Sequence, residues 1–158
     1  MGTFSKSLAS VGGFIAGSED FTHYLKHNSR ALIFSASPPP ASVASVLKAL
    51  EIIKREPERR EKLWANTNRL HAGLKEHGFD TRRAVTPIIP VVVGDNIKVF
   101  QMCKMLHENG VFVNPVVAPA VPPGDQLIRL SLMSTHTFDQ IDFALETLAR
   151  IGKALEII

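Results

Sequence analysis

Apolar residues recur at helical spacing in three stretches of the second half of the chain, and continuous apolar runs separate these stretches. The spacing predicts helices over about 57–77, 95–109 and 137–151, and the runs predict strands over 88–93, 111–117 and 127–132. The order helix, strand, helix, strand, strand, helix is typical of an α/β fold. We therefore predict one α/β unit over residues 57–158.

Residue types that favour helix ends mark the boundaries of these helices. Pro57 suits a first helical turn, and Gly78 suits a helix stop. Asp95 can cap the second helix with its side chain. Thr137 and Gln140 have the spacing of a capping box, in which side chains and backbone N–H groups at a helix start bond reciprocally. These signals locate the start of each of the three helices and the end of the first.

The first part of the chain carries a different pattern. Residues 12–17 indicate a short buried strand between glycines, and Ser18 begins a predicted helix that extends to about His27. A second apolar run over 31–34 is followed by three prolines at 38–40, which exclude regular strand pairing. Apolar residues then recur with the spacing of one helix face: Val43, Val46, Leu47, Leu50 and Ile53.

A joint between two predicted helices near Arg55–Glu56 divides the chain into residues 1–56 and 57–158. We interpret this joint as a hinge. Residues 1–56 contain one predicted strand without a neighbour, and its unpaired backbone groups would be costly to bury. We therefore expect this part to be the end of a larger domain whose earlier part precedes Met1.

Composition excludes several classes of protein. Of the 158 residues, 45% are hydrophobic and 21% are charged, which is typical of a folded chain. The net charge is only +3, and the basic residues between 54 and 62 alternate with glutamates, which favours a solvated helix face over a nucleic-acid surface. No apolar run approaches the roughly 18 residues of a membrane span, and the first twenty residues make a poor signal peptide. We expect a cytoplasmic protein that binds no nucleic acid and does not span a membrane.

The single cysteine, Cys103, allows no internal disulfide and no thiolate metal cage, which indicates a reducing compartment. It lies within a helical apolar pattern. We therefore predict that its side chain is buried.

Lys6 lies between small hydroxyl residues in the segment Gly2-Thr3-Phe4-Ser5-Lys6-Ser7, and a glycine pair follows at 12–13. An amine in such a loop can condense with an aldehyde cofactor, while hydroxyl and backbone N–H groups bind the phosphate of that cofactor. An ordinary solvated lysine is the alternative, and the segment alone does not separate the two.

Arg129 alternates with apolar residues on the predicted strand over 127–132. Its guanidinium must lie either in water or against an anion, and arginine is suited to bidentate binding of a carboxylate. The spacing is compatible with an exposed residue and with a carboxylate site.

The six histidines give weaker indications. His23 and His27 are one helical turn apart, but no third ligand lies at a suitable spacing, so no metal site is predicted. His136 precedes the last helix cap, where it either makes structural hydrogen bonds or lines a cavity together with Arg129.

Several of these motifs together resemble the α-oxoamine synthases, which are pyridoxal-phosphate enzymes of fold type I. The resemblance rests on Thr3-Phe4-Ser5-Lys6 with Gly12-Gly13-Phe14, on Phe34-Ser35-Ala36-Ser37-Pro38-Pro39, and on Asn114-Pro115-Val116-Val117 through Arg129-Leu130-Ser131 to His136-Thr137. It covers essentially the whole sequence but rather less than half of a family member, namely the C-terminal portion. It implies an α/β fold, with the end of a large cofactor-binding domain followed by a small domain with a mainly antiparallel sheet.

Carried over onto this sequence, the resemblance implies roles for five residues near the cofactor pyridoxal phosphate. Lys6 would bind the cofactor covalently and later move the Cα proton of the substrate. Thr3 and Ser5 would contact the phosphate. Ser35 and Ala36 would reach the phosphate in the other subunit, which implies a homodimer with a shared site.

Arg129 matches the family's arginine that holds the carboxylate of the amino-acid substrate. Some members of the most similar branch carry a further arginine in an Arg-Pro-Pro-Ala-Thr-Pro loop, where this chain has Val117 instead. Arg129 is therefore the sole visible carboxylate anchor. The family's ring-stacking histidine and the aspartate that pairs with the pyridine nitrogen match positions upstream of this sequence.

The Thr-Phe-Ser-Lys form is most similar to a bacterial branch that condenses L-serine with a long-chain acyl-CoA, with loss of CO2, to a 3-keto amino alcohol, the first step of sphingolipid synthesis. The resemblance thus implies a pyridoxal-phosphate-dependent acyltransferase. Alternatives within the family use glycine with acetyl-CoA, or alanine with a pimeloyl thioester. A further alternative is that the isolated chain is an inactive fragment that only folds and associates.

Overall fold

Six helices and five short strands make up the computed structural model, which describes all residues from Met1 to Ile158. The helices are α1 (Glu19–Asn28), α2 (Arg30–Ile33), α3 (Pro40–Arg55), α4 (Glu58–Glu76), α5 (Asn96–Glu108) and α6 (Phe138–Ala154). The strands are β1 (Gly2–Thr3), β2 (Gly13–Phe14), β3 (Ile88–Val92), β4 (Asn114–Val116) and β5 (Leu127–Ser131). Contacts within the chain divide it into a first unit, Met1–Pro57, and a second unit, Glu58–Ile158.

The first unit begins with a small antiparallel hairpin. β1 pairs with β2, so that Thr3 lies opposite Gly13. A Cβ atom at residue 13 would lie 2.7 Å from the carbonyl oxygen of Gly2, so glycine permits this close pairing. The prediction of an isolated buried strand over 12–17 is wrong, because β2 spans only Gly13–Phe14, has β1 as its partner and is exposed.

Three helices follow the hairpin. The side chain of Ser18 accepts a hydrogen bond from the Phe21 N–H and begins α1 as predicted. The apolar run over 31–34 contributes to the one-turn helix α2, and the prolines precede or begin α3.

The apolar face predicted for α3 is largely exposed in this chain. Val46 is buried, but Val43 is 40% exposed, Leu47 59% and Leu50 40%. The predicted helix is present, and Val46 is the one buried residue of its apolar face. The physical reason is that α3 packs closely on no other helix or strand of the chain.

The second unit is built on a three-stranded antiparallel sheet in the order β3-β5-β4. The central strand pairs Arg129 with Pro90 on one side and with Asn114 on the other. The predicted antiparallel sheet is confirmed, although β4 spans only Asn114–Val116 instead of 111–117.

Alternation along the strands separates a buried face from an open face of this sheet. On the buried face, the core combines strand residues with residues of α4, α5 and α6. The fully buried side chains include Leu74, Ile89, Val91, Val99, Met102, Leu106, Ile128, Leu148 and Ile151. Cys103 is only half-buried, contrary to the prediction, and burial raises the pKa of its thiol.

Helices α4 and α6 approach each other closely within this core. A Cβ atom at Gly73 of α4 would lie 2.4 Å from Cδ1 of Leu145 of α6. Farther along, Arg69 donates two hydrogen bonds to Asp142, at 2.7 and 2.6 Å, and its guanidinium lies 4.7 Å from the centroid of the Phe138 ring. No helix of the chain combines the length and the apolarity that a membrane crossing requires.

Candidate cofactor and substrate site

Lys6 lies in the loop that joins β1 to β2. The Phe4 N–H donates to the Gly12 carbonyl, and the Ser10 N–H donates to the Phe4 carbonyl, so the loop is closed by backbone hydrogen bonds. The Ala9 N–H donates to the Lys6 carbonyl and forms a tight turn that begins at Lys6. The Lys6 side chain is exposed, and its amine forms no ion pair or hydrogen bond within the chain.

The residues of this loop fit an aldehyde cofactor that carries a phosphate. Thr3 and Ser5 are exposed, and their hydroxyl groups make no hydrogen bond within the chain. The first acidic residue of the sequence is Glu19, so Lys6 is the only charged side chain between residues 2 and 18. One amine and two free hydroxyl groups are therefore available to an anionic ligand, with no carboxylate nearby in sequence to compete.

Ser35 and Ala36 lie in the exposed segment between α2 and α3. The Ser35 hydroxyl donates to the Ala31 carbonyl at 2.5 Å. No hydrogen bond joins this segment to the Lys6 loop. The structure thus has Thr3 at the end of β1 and Ser5 and Lys6 in the loop that follows, while Ser35 and Ala36 belong to a separate segment of the same unit.

Arg129 lies in the middle of the central strand of the second unit. Its neighbours Ile128 and Leu130 face the core, so the Arg129 side chain extends from the open face of the sheet. It is exposed and forms no ion pair or hydrogen bond within the chain. An unpaired guanidinium on an open sheet face can bind a carboxylate without first releasing an internal partner.

Asn114 belongs to one of the motifs that carry the family resemblance, but the sequence assigned it no role at the site. The pairing register puts it directly opposite Arg129 on the neighbouring strand, and directly opposite residues share a sheet face. Its amide can add a hydrogen-bond donor beside the guanidinium. No sequence signal could identify this pair, because the register between β4 and β5 is a tertiary property.

His136 makes structural hydrogen bonds and does not share a cavity with Arg129. Its Nδ1 accepts a hydrogen bond from the Met133 N–H at 3.3 Å. Asn66, a buried residue of α4, donates through Nδ2 to the carbonyls of Met133 and His136 at 2.9 and 3.0 Å. These bonds fix the turn that joins β5 to α6.

His23 and His27 lie on one exposed face of α1, with ring centroids 4.4 Å apart. The Nδ1 atom of His27 donates to the His23 carbonyl at 2.9 Å. No group of three or more His, Cys, Asp or Glu side chains in the chain is arranged to hold a metal ion.

Comparison with known proteins assigns the chain to a family. Residues 1–148 match the family model described as aminotransferase class I and II. The chain belongs to this family. The resemblance inferred from the motifs around Lys6 and Arg129 is thereby confirmed at the level of the family.

Two kinds of enzyme are among the known proteins that resemble the chain. Serine palmitoyltransferase of Sphingobacterium spiritivorum is 59% identical over 157 residues, which are 99% of this chain and 39% of that protein. The 8-amino-7-oxononanoate synthase of Symbiobacterium thermophilum is 41% identical over 158 residues, which are 100% of this chain and 40% of that protein. The chain therefore spans about two fifths of the length of these relatives.

A solved serine palmitoyltransferase structure with pyridoxal phosphate as an internal aldimine has the same fold as the chain. It superimposes with a TM-score of 0.91 at 35% sequence identity, over 99% of this chain and 40% of that protein. The predicted fold, the C-terminal part of a fold type I enzyme, is confirmed. The predicted cofactor, pyridoxal phosphate, agrees with this relative.

Proposed function

We propose that this chain is the C-terminal part of a pyridoxal-phosphate-dependent acyltransferase that condenses L-serine with a long-chain acyl-CoA. The observation that supports the serine branch is the 59% identity to a serine palmitoyltransferase, against 41% to an 8-amino-7-oxononanoate synthase over the same residues. The Lys6 loop and the unpaired Arg129 supply the groups that such a reaction needs from this part of the protein.

The proposed roles are those that the family resemblance implies, and the exposed, unpaired side chains of Lys6, Thr3 and Ser5 support them. Lys6 binds the cofactor aldehyde through its amine and, once released, accepts the Cα proton of the amino acid. The free hydroxyl groups of Thr3 and Ser5 bind the phosphate of the cofactor. Pyridoxal phosphate, when bound, supplies an electron sink for the charge that develops at Cα.

Arg129 is proposed to bind the carboxylate of serine. A two-point hydrogen-bonded pair limits rotation of the amino acid, so that the bond to be broken keeps one orientation relative to the cofactor. Asn114, directly across the strand pair, is proposed to donate to the same carboxylate.

Ser35 and Ala36 are proposed to complete the phosphate site of a second subunit in a homodimer. The segment that contains them is exposed and makes no hydrogen bond to the Lys6 loop of its own chain. An exposed segment of this kind is free to contact another subunit.

The central test uses the full-length protein with Lys6→Ala and with Arg129→Lys. Lys6→Ala should abolish turnover and prevent borohydride from attaching the cofactor to the chain, as measured by mass spectrometry. Lys54→Ala, at an exposed lysine of the same unit, is the matched control and should leave both unchanged. Normal turnover in the Lys6→Ala protein would refute the proposal.

Arg129→Lys should raise the KM for serine more than it lowers kcat, because an ammonium cannot reproduce the two-point geometry of a guanidinium. The loss of a charged hydrogen bond of about 1.5–3 kcal/mol corresponds to roughly a 10- to 150-fold rise in KM. An unchanged KM for serine would exclude Arg129 as the carboxylate ligand.

A second candidate reaction keeps the family and changes the substrates. The 41% identity to an 8-amino-7-oxononanoate synthase favours alanine with a pimeloyl thioester as the alternative pair. Product analysis of the full-length protein with each amino acid and thioester separates the two. The isolated 158 residues are proposed to be inactive, which the same assay tests directly.

A further inference from the structure

The sequence contains one Asn-Gly pair, Asn109–Gly110, and the structure puts it at the end of α5. The backbone nitrogen that follows an asparagine can attack the carbon of the side-chain amide, and a glycine nitrogen does so with no side chain in the way. Both residues are exposed, so water reaches them. The pair is therefore chemically open to deamidation, and the surrounding structure decides whether the attack occurs.

The backbone conformation of Asn109 keeps the two reacting atoms apart. Ring closure requires the Gly110 nitrogen to be nearly eclipsed with Cβ of Asn109 about the Cα–C bond. Asn109 has ψ 18°, so the Gly110 nitrogen is instead nearly eclipsed with the backbone nitrogen of Asn109. The Gly110 N–H also donates to the His107 carbonyl at 3.0 Å, and the Val111 N–H donates to the Leu106 carbonyl at 2.8 Å. Rotation into the reactive conformation breaks these bonds.

Two further hydrogen bonds hold the side chain of Asn109. Its Nδ2 donates to the Met105 carbonyl at 2.8 Å, within the last turn of α5. Its Oδ1 accepts from the guanidinium of Arg150 at 2.9 Å, which joins the end of α5 to α6. A side chain from outside α5 thus keeps the amide in place, and the attack requires a local opening of this helix end.

We infer that Asn109 is a deamidation site that the closed end of α5 protects, and that Arg150 contributes to keeping it closed. In the reaction, the Gly110 nitrogen loses its proton and forms a bond to Cγ of Asn109, and the side-chain nitrogen leaves as ammonia. Water then opens the succinimide ring at either carbonyl, which gives aspartate or isoaspartate. Isoaspartate places an additional methylene group in the main chain at the end of α5. This inference is independent of the proposed condensation.

The first test follows deamidation of the full-length protein at mildly alkaline pH, by peptide mapping with mass spectrometry that resolves the products at position 109. One sample is folded, and the other is unfolded in guanidinium chloride at the same pH. Loss of Asn109 should be at least about tenfold slower in the folded sample, because helix opening must precede attack. Equal rates, or no deamidation at Asn109 in the unfolded sample, would overturn the inference.

The second test removes the guanidinium. Arg150→Met keeps the aliphatic stem and should raise the deamidation rate of the folded protein roughly twofold to fivefold, as expected for the loss of one exposed hydrogen bond. Lys153→Met, at an exposed lysine of α6, is the matched control for the loss of a positive charge and should leave the rate unchanged.

Circular dichroism checks that both variants are folded. Should Arg150→Met fail to fold, Arg150→Ser replaces it with the same expectation, because a serine side chain is too short to reach Asn109. An unchanged rate in the variant used, or an equal rise in Lys153→Met, would exclude the role of Arg150.

Discussion

At the scale of single residues, Arg129 forms no ion pair or hydrogen bond within the chain, in contrast to Arg69, Arg82 and Arg150. Arg69 pairs with Asp142, Arg82 with Asp125, and Arg150 donates to the side chain of Asn109. Exposed pairs of this kind contribute little to stability. The unpaired state of Arg129 therefore costs the fold little and leaves its guanidinium free for a ligand.

His71 should make the stability of the second unit depend on pH. Its Nε2 lies 3.0 Å from Oγ1 of the buried Thr81, and its pKa is lowered from 6.5 by burial and then by the charge of Lys75. Because the folded pKa lies below the unfolded value, the unfolded chain takes up the proton first as pH falls. The stabilisation is thus complete above the unfolded pKa and is lost as pH falls below it.

The measurement is urea unfolding at about pH 8 and about pH 5, on either side of the ordinary histidine pKa. His71→Gln should lose less stability between these pH values than the unchanged chain. His77→Gln, at an exposed histidine one residue beyond α4, is the control and should lose as much stability between these pH values as the unchanged chain. Equal losses in the unchanged chain and in His71→Gln would contradict the assignment.

At the scale of elements, the start of α6 depends on a complete capping box. The Thr137 side chain accepts from the Gln140 N–H, and the Gln140 side chain accepts from the Thr137 N–H. Thr137→Ala should lower the free energy of unfolding by about 1 kcal/mol, as for other lost caps. Thr135→Ala, at an exposed threonine two residues earlier, should change it by less than about 0.5 kcal/mol, both measured by urea unfolding.

Helix ends could be predicted from the sequence because their chemistry is local. Asp95 and Thr137 cap the helices that their positions predict, through bonds that span three residues. Strand lengths could not be predicted from the sequence, because they depend on distant partners. The strand β4 is shorter than the apolar run over 111–117, and β2 pairs with β1, which the sequence did not indicate as a strand. The same limit applies to the site, where Lys6 and Arg129 stand out by residue type, but the position of Asn114 opposite Arg129 depends on the strand register.

At the scale of the whole molecule, the two units differ in how much of their surface they bury. The main hydrophobic core draws all its buried residues from the second unit, whereas Val46 is the one buried residue of the first. A fragment of residues 58–158 should therefore unfold cooperatively, while a fragment of residues 1–57 should show no cooperative transition. Circular dichroism during thermal unfolding of both fragments checks this, and a cooperative transition in 1–57 would contradict it.

The contact between Gly73 and Leu145 restricts how homologous sequences can diverge. A Cβ atom at position 73 would overlap Cδ1 of the leucine, so alanine there requires the Leu145 side chain to shift, and a shorter side chain at position 145 removes the overlap. The two positions should therefore covary among homologues that keep this helix pair. Frequent pairing of alanine at 73 with leucine at 145 in an alignment would contradict this and show that the leucine changes its rotamer or that the helices move apart.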